Sequence, residues 1–191
     1  MSEKKRPALD PAAEAARNAD RKSNAGPTPD PWEACATLEY GGDRSFAWSV
    51  REQVVRALPE EKARAEQSLL KALGRKDCTE AGRAFLCQML ALVGTSKSVA
   101  ALAPLLKDPK SADAARYALE AIPGPEVDAA LRDALGSLSG NPKAGLIGSI
   151  AKRRDTTARA VLAGIRENPS ETPIVREAAA RALDHLTTAK S

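Results

Sequence analysis

VAALAPLLKDPKSADAARYALEAIPGPEV, residues 99–127, carries two apolar stripes at helical spacing with a sharp break after each. Val99, Leu102, Leu105 and Leu106 recur at i, i+3 and i+6/i+7, which puts them on one face of a helix. Lys107-Asp108-Pro109 interrupts that face, and Ala115, Ala118, Leu119 and Ile122 begin another. Pro123-Gly124-Pro125 then stops the second helix, and Val127, Ala130, Leu131, Ala134, Leu135 and Leu138 start a third. The grammar is short helix, tight break, short helix.

The same grammar extends in both directions. Helix-start signals stand at Ser45, Asp77, Asp108, Asn141 and Thr172, separated by 32, 31, 33 and 31 residues. Each side chain is of a type that accepts a hydrogen bond from an unpaired amide of a first turn, and Pro109, Pro142 and Pro173 suit a first helical position. Asp77 with Glu80 has the spacing of a reciprocal capping box. Residues 114–122 and 178–186 also superpose at a shift of 64, two repeats, independently of the caps. A period near 32 predicts a stacked helical repeat.

The expected fold is all-α, a right-handed α-α superhelix of about four to five helix pairs. Its expected parts are a mobile tail over 1–29 and a repeat domain over 30–191. The domain divides into an N-terminal cap at 30–44, repeats at about 45–76, 77–107, 108–140 and 141–171, and a last helix at 172–188. A transient helix is expected from Pro11 to Arg17 within the tail, which lacks the apolar residues to offset chain entropy. Composition agrees: 43% of the residues are hydrophobic but only 3% are aromatic, so the core must come from Ala, Leu, Val and Ile. Alanine favours helices and their close approach.

Residues 99–109 and 113–127 resemble bacterial HEAT-like repeats, the short class also found in phycobilisome-lyase-type proteins. The first helix reads Ala-Ala-Arg-x-Ala-Leu, and the second reads Val-x-x-Leu-x-x-Leu-Leu followed by Lys-Asp-Pro. Ala121-Ile122-Pro123-Gly124 stands where a turn containing Gly-Asp is usual, and Gly145-Leu-Ile-Gly-Ser-Ile150 departs from the first-helix pattern. The resemblance implies a scaffold with an extended surface on which second helices line the concave side; it assigns no activity.

Candidate chemistry is sparse. His185 is the single histidine and reads as a helix-terminal structural residue. Cys35, Cys78 and Cys87 have neither metal-ligand nor haem spacing, so reduced, partly buried thiols are expected, with no metal and no cofactor. The glycines at 145 and 148 form no phosphate loop, and no acid-base constellation suggests catalysis. Chromophore handling, as in the lyase relatives, would need a reactive cysteine setting that the sequence does not display.

Two features break the repeat grammar. Lys152-Arg153-Arg154 closes a first helix where Ile122 and Leu186 close others, and is expected either to cap that helix, with Asp155 pairing to Arg154, or to contact a partner. Arg132, Arg159 and Arg166 follow core positions on second helices and would form a basic stripe there. Trp32 and Trp48, with Tyr40, gather near the N-terminus and are expected to cover the end of the core.

The expected function is non-catalytic protein binding, with another protein or peptide segment as partner. The alternative is nucleic-acid binding or a DNA-glycosylase-like activity on a basic concave surface; the net charge of +4 is too modest to demand it. No secretory leader or membrane-spanning stretch is read, so a cytoplasmic monomer is expected.

Overall fold

The computed structural model describes residues 29–188. The chain divides at Asp30/Pro31 into two units, and the fold below is that of the second. The expected tail over 1–29, with its transient helix, lies outside the described residues except for Pro29.

The described residues form ten α-helices and no strand. They are α1 (Pro31–Ala34), α2 (Ser45–Arg56), α3 (Pro59–Leu73), α4 (Glu80–Val93), α5 (Val99–Leu102), α6 (Ala112–Ala121), α7 (Pro125–Ala134), α8 (Gly140–Lys152), α9 (Arg159–Glu167) and α10 (Pro173–Thr188). Short 3-10 turns extend several of them, notably Cys35–Thr37 after α1 and Ala103–Lys107 after α5. The second helix expected over Val99–Leu106 therefore changes pitch midway. Pro104 is the reason: it has no N–H for an α-helical bond, and its ring crowds the carbonyl four residues back.

Packing follows a two-element step. α4 packs on α6, α6 on α8 and α8 on α10, while α3 leans on α4, α7 on α8 and α9 on α10. One continuous core results, built on Leu69, Leu86, Leu90, Leu102, Leu106, Leu119, Leu131, Leu146, Ile147, Ile150 and Leu162, all fully buried. Alanines at 115 and 118 on α6 and at 179 and 182 on α10 are buried, where a small side chain permits close approach.

At four of the five helix starts the structure uses different residues from those the spacing singles out; at the fifth, Thr172 directly precedes α10 and its carbonyl accepts from Val175 N and Arg176 N. Asp43, not Ser45, caps α2, its carboxylate accepting from Ser45 N at 2.9 Å. Thr79, not Asp77, caps α4: Thr79 Oγ1 accepts from Gly82 N at 3.0 Å, and the Asp77–Glu80 capping box does not form. Asp77 is held instead by Arg75, which donates to both of its carboxylate oxygens. Asp108 sits in the turn before α6 and accepts from Lys110 N at 3.1 Å, leaving Ser111 next to the helix. Asn141 and Pro142 fall inside α8, while Pro59, Pro125 and Pro173 occupy first helical positions.

Candidate interaction surface

Three of the six cations picked out in the sequence, Arg132, Arg153 and Arg159, are spent inside the fold. Arg153, at the end of α8, has a side chain only 12% exposed. Its Nε donates to Asp128 Oδ1 at 2.6 Å, and its Nη atoms donate to the carbonyls of Ile122 at 2.6 Å, Gly124 at 3.0 Å, Glu120 at 3.2 Å and Leu119 at 3.3 Å. Glu120 and Ile122 lie at the carbonyl end of α6, where intrahelical donors run out, so Arg153 caps the C-terminal end of α6 from α8. Gly124 makes the clasp possible, because its φ of +123° is open to glycine alone.

Arg132 pairs with buried Asp155, whose other oxygen accepts from Thr157 N at 3.1 Å. The expected Asp155–Arg154 pair is not formed, because Asp155 turns inward to Arg132. Arg159 donates to the carbonyl of Leu186 near the end of α10, and its buried Nε has no acceptor among the described residues. Lys152 pairs with Glu120 while its own side chain stays exposed, and Arg166 pairs with the adjacent Glu167 at 2.7 Å. Only Arg154 of the cluster projects freely; it has a φ of +60° at the turn that ends α8. The expected basic stripe of Arg132, Arg159 and Arg166 is thus not a stripe: two of the three are bound by neighbouring elements.

Apart from the Asp155–Thr157 and Arg166–Glu167 contacts, these belong to a polar ladder that joins residues 23 to 34 apart in sequence. Buried Glu66 accepts from Thr95 N at 2.7 Å and Ser98 Oγ at 2.6 Å, which ties α3 to the turn before α5. Glu120 accepts from Ser149 Oγ at 2.6 Å and from Lys152, and Arg116 donates to Ser149 Oγ at 3.1 Å. Burial pushes the Glu120 carboxyl up, but hydrogen bonds from Lys152 and Ser149, with the charges of Lys152 and Arg116, hold it below its ordinary value. Lys143, almost fully buried, pairs with Glu171.

The aromatic cap splits in two. Trp32 is partly buried against the core, as expected of a cap residue. Trp48 is 65% exposed, so it does not cover the core; Ala47, Val50 and Val54 do that from the opposite face of α2. His185 lies exposed in the last turn of α10. Cys35, Cys78 and Cys87 are buried and not joined in a disulfide, and burial pushes the Cys78 thiol up and the Cys87 thiol up to about 12. Among the described residues no group of His, Cys, Asp and Glu could hold a metal ion, and no helix is long and apolar enough to cross a membrane.

A shallow groove of about 540 Å³ remains between the second helices, α5 with its 3-10 extension on one side and α7 on the other. Its floor is Ala100, Ala103, Pro104, Ala129 and Ala130; Lys107 stands on one rim, Glu126 and Asp133 on the other. Seven residues separate Glu126 from Asp133, which is about 10.5 Å along a helix. Neither carboxylate has an ion-pair partner among the described residues, so the rim is acidic and free. Such a groove admits a narrow helix or extended segment close to backbone and offers it two carboxylates. The sequence pattern puts Ala130 on the core stripe, but it is only partly buried and lines the groove instead, and the pattern does not disclose the groove as a whole. The available signal was alanine at Ala100, Ala129 and Ala130, positions next to the buried stripe where a solvated face commonly carries charge.

No family model matches the chain, and neither a curated protein nor a solved structure does.

Proposed function

We propose that the chain is a non-catalytic protein-binding adaptor whose helix pairs are HEAT-like repeats wound into a right-handed solenoid. The polar ladder and the step from each first helix to the next support the repeat reading. The observation that carries the binding role is the α5/α7 groove, with its alanine and proline floor and the free Glu126 and Asp133 on one rim. The partner that fits is a basic amphipathic segment of another protein, its small apolar face on the alanines and two Lys or Arg side chains about two turns apart meeting the carboxylates.

The acidic rim also favours a protein partner over nucleic acid, since carboxylates repel phosphates and Arg132, Arg153 and Arg159 are already engaged. Binding on a rigid surface costs little ordering on the adaptor side, so modest contacts can suffice.

The test is capture by the full chain from its native lysate at low and high salt, alongside a Glu126→Lys/Asp133→Lys variant. A protein captured by the parent and held at least about tenfold less well by the variant is the expected result. Capture of nucleic acid alone, or equal capture by the variant, overturns the reading.

A further inference from the structure

A second surface, on α2, has no role in the groove and is built to meet a copy of itself. Trp48 is 65% exposed and Val55 is 59% exposed. They stand seven residues apart and point the same way, two turns along the helix, opposite the face that Ala47, Val50 and Val54 bury. Arg51 and Glu52 lie between them in sequence and, at about 100° per residue, on opposite flanks of the Trp48–Val55 line. A shallow hollow of about 540 Å³ runs along this face, lined by Trp48, Arg51, Glu52 and Val55 among others.

In place of the monomer expected from sequence, we propose that α2 is an isologous contact through which two copies of the chain associate with their α2 helices side by side and parallel. Symmetry selects the orientation. A two-fold axis parallel to the helices brings the Arg51 flank of one copy against the Glu52 flank of the other, on both sides of a Trp48/Val55 centre. A two-fold axis across the helices would instead place Arg51 against Arg51 and Glu52 against Glu52. Only the parallel pair is complementary in both charge and apolar surface.

Arg51 has no ion-pair partner among the described residues. Among the described residues Glu52 pairs only with Arg56 on its own helix, at 2.9 Å, with both side chains more than half exposed. An exposed pair of that kind contributes little, so Glu52 is available to a second copy. The two tryptophans would meet at the axis, where a pair of large rings supplies most of the contact area. One twelve-residue helix per copy makes a small interface, so association is weak and concentration-dependent.

The full chain is followed by sedimentation equilibrium across a concentration series, with helix content checked by circular dichroism for every variant. The expected result is a monomer–dimer equilibrium that Trp48→Ser weakens by at least about tenfold. Arg51→Glu alone and Glu52→Arg alone are each monomeric, because each sets like charges against each other on both flanks. An equimolar mixture of the two, and the double variant Arg51→Glu/Glu52→Arg, both dimerise again. A chain that stays monomeric at every concentration, or single variants that dimerise like the parent, or a mixture that does not recover, overturns the proposal. Partner capture through Glu126 and Asp133 is measured separately and is unaffected by these α2 substitutions, so either reading can fail alone.

Discussion

Arg153 and Asp128 stand 25 residues apart in sequence and meet through a 2.6 Å hydrogen bond, in which the guanidinium simultaneously satisfies the carbonyl end of α6. One side chain thereby fixes the end of α6, the turn at Gly124 and the end of α8. Replacing it strands Asp128 and several carbonyls in a largely buried place. Arg153→Ala is expected to cost about 2–4 kcal/mol in denaturant unfolding. Arg153→Lys should recover little of it, because an ammonium group cannot reproduce a planar fork. A loss below about 0.5 kcal/mol would show that the clasp is dispensable.

Gly82 is the corresponding point at the N-terminal end. A Cβ built there falls inside the contact radius of Ala36 O and lies 2.8 Å from Cys35 O, both rigid backbone atoms. The same strip of chain is held by Thr79, whose N donates to Ala36 O at 2.9 Å and whose hydroxyl donates to Leu38 O. In an open helix, glycine to alanine gains about 1 kcal/mol. Here Gly82→Ala is expected to destabilise by about 2–3 kcal/mol, with the largest loss of amide-exchange protection over residues 31–38. A stabilising outcome would mean that the cap does not pack on α4 as described.

The helical class, the two-helix grammar and the positions of most breaks were legible in the sequence because they depend on residues within a few positions of one another. The identity of each cap was less so. Asp77 has the right side chain for a cap, yet Arg75 takes both its oxygens and Thr79 does the capping. The fate of the arginines was not legible at all: whether Arg132 or Arg153 is free depends on Asp155 and on the carbonyls of α6, which lie in another element. Local pattern cannot tell a clamp from a binding residue when the acceptor lies in another element. The α5/α7 groove escaped for the opposite reason, since what marks it is missing bulk at Ala100, Ala129 and Ala130.

Glu120 gives the polar ladder a pH signature. Its folded pKa lies below the ordinary 4.5, so folding favours the ionised form. That contribution is fully present above pH 4.5 and is lost as pH falls through the lower, folded value. Glu33, Asp43 and Asp77 shift in the same direction at the surface, so Glu120 supplies only part of the acid sensitivity. Glu120→Gln is expected to be less stable than the parent at pH 7 and to lose less stability between pH 5 and pH 3. Denaturant unfolding at a series of pH values reads this, and parallel profiles for the two proteins would remove Glu120 from the account.

The three thiols are expected to be silent in the folded chain. Cys87 is pushed up to about 12 by burial and by the neighbouring Cys78, which leaves roughly one thiolate in 10⁴ at pH 8. An aromatic disulfide reagent should therefore label the native protein only at the rate of opening, then titrate all three cysteines once denaturant is added. Rapid labelling of native Cys87 would contradict its burial and reopen the cofactor-handling alternative.

Arg154 separates cluster charge from cluster structure. It ends α8 in a Schellman arrangement, with its own N donating to Ala151 O at 2.9 Å and Asp155 N donating to Ile150 O at 3.2 Å. Its φ of +60° lies in the region that glycine enters without penalty. A non-glycine residue there costs about 1–2 kcal/mol, part of which the unfolded-state entropy of glycine offsets. Arg154→Gly is accordingly expected to stabilise the fold by about 0.5–1 kcal/mol, and Arg154→Val to destabilise it. Because Arg154 is exposed and lines no part of the α5/α7 groove, the glycine variant should capture a groove-bound partner as well as the parent does. If capture falls while stability rises, the partner reaches the turn after α8, and the binding surface is larger than the groove.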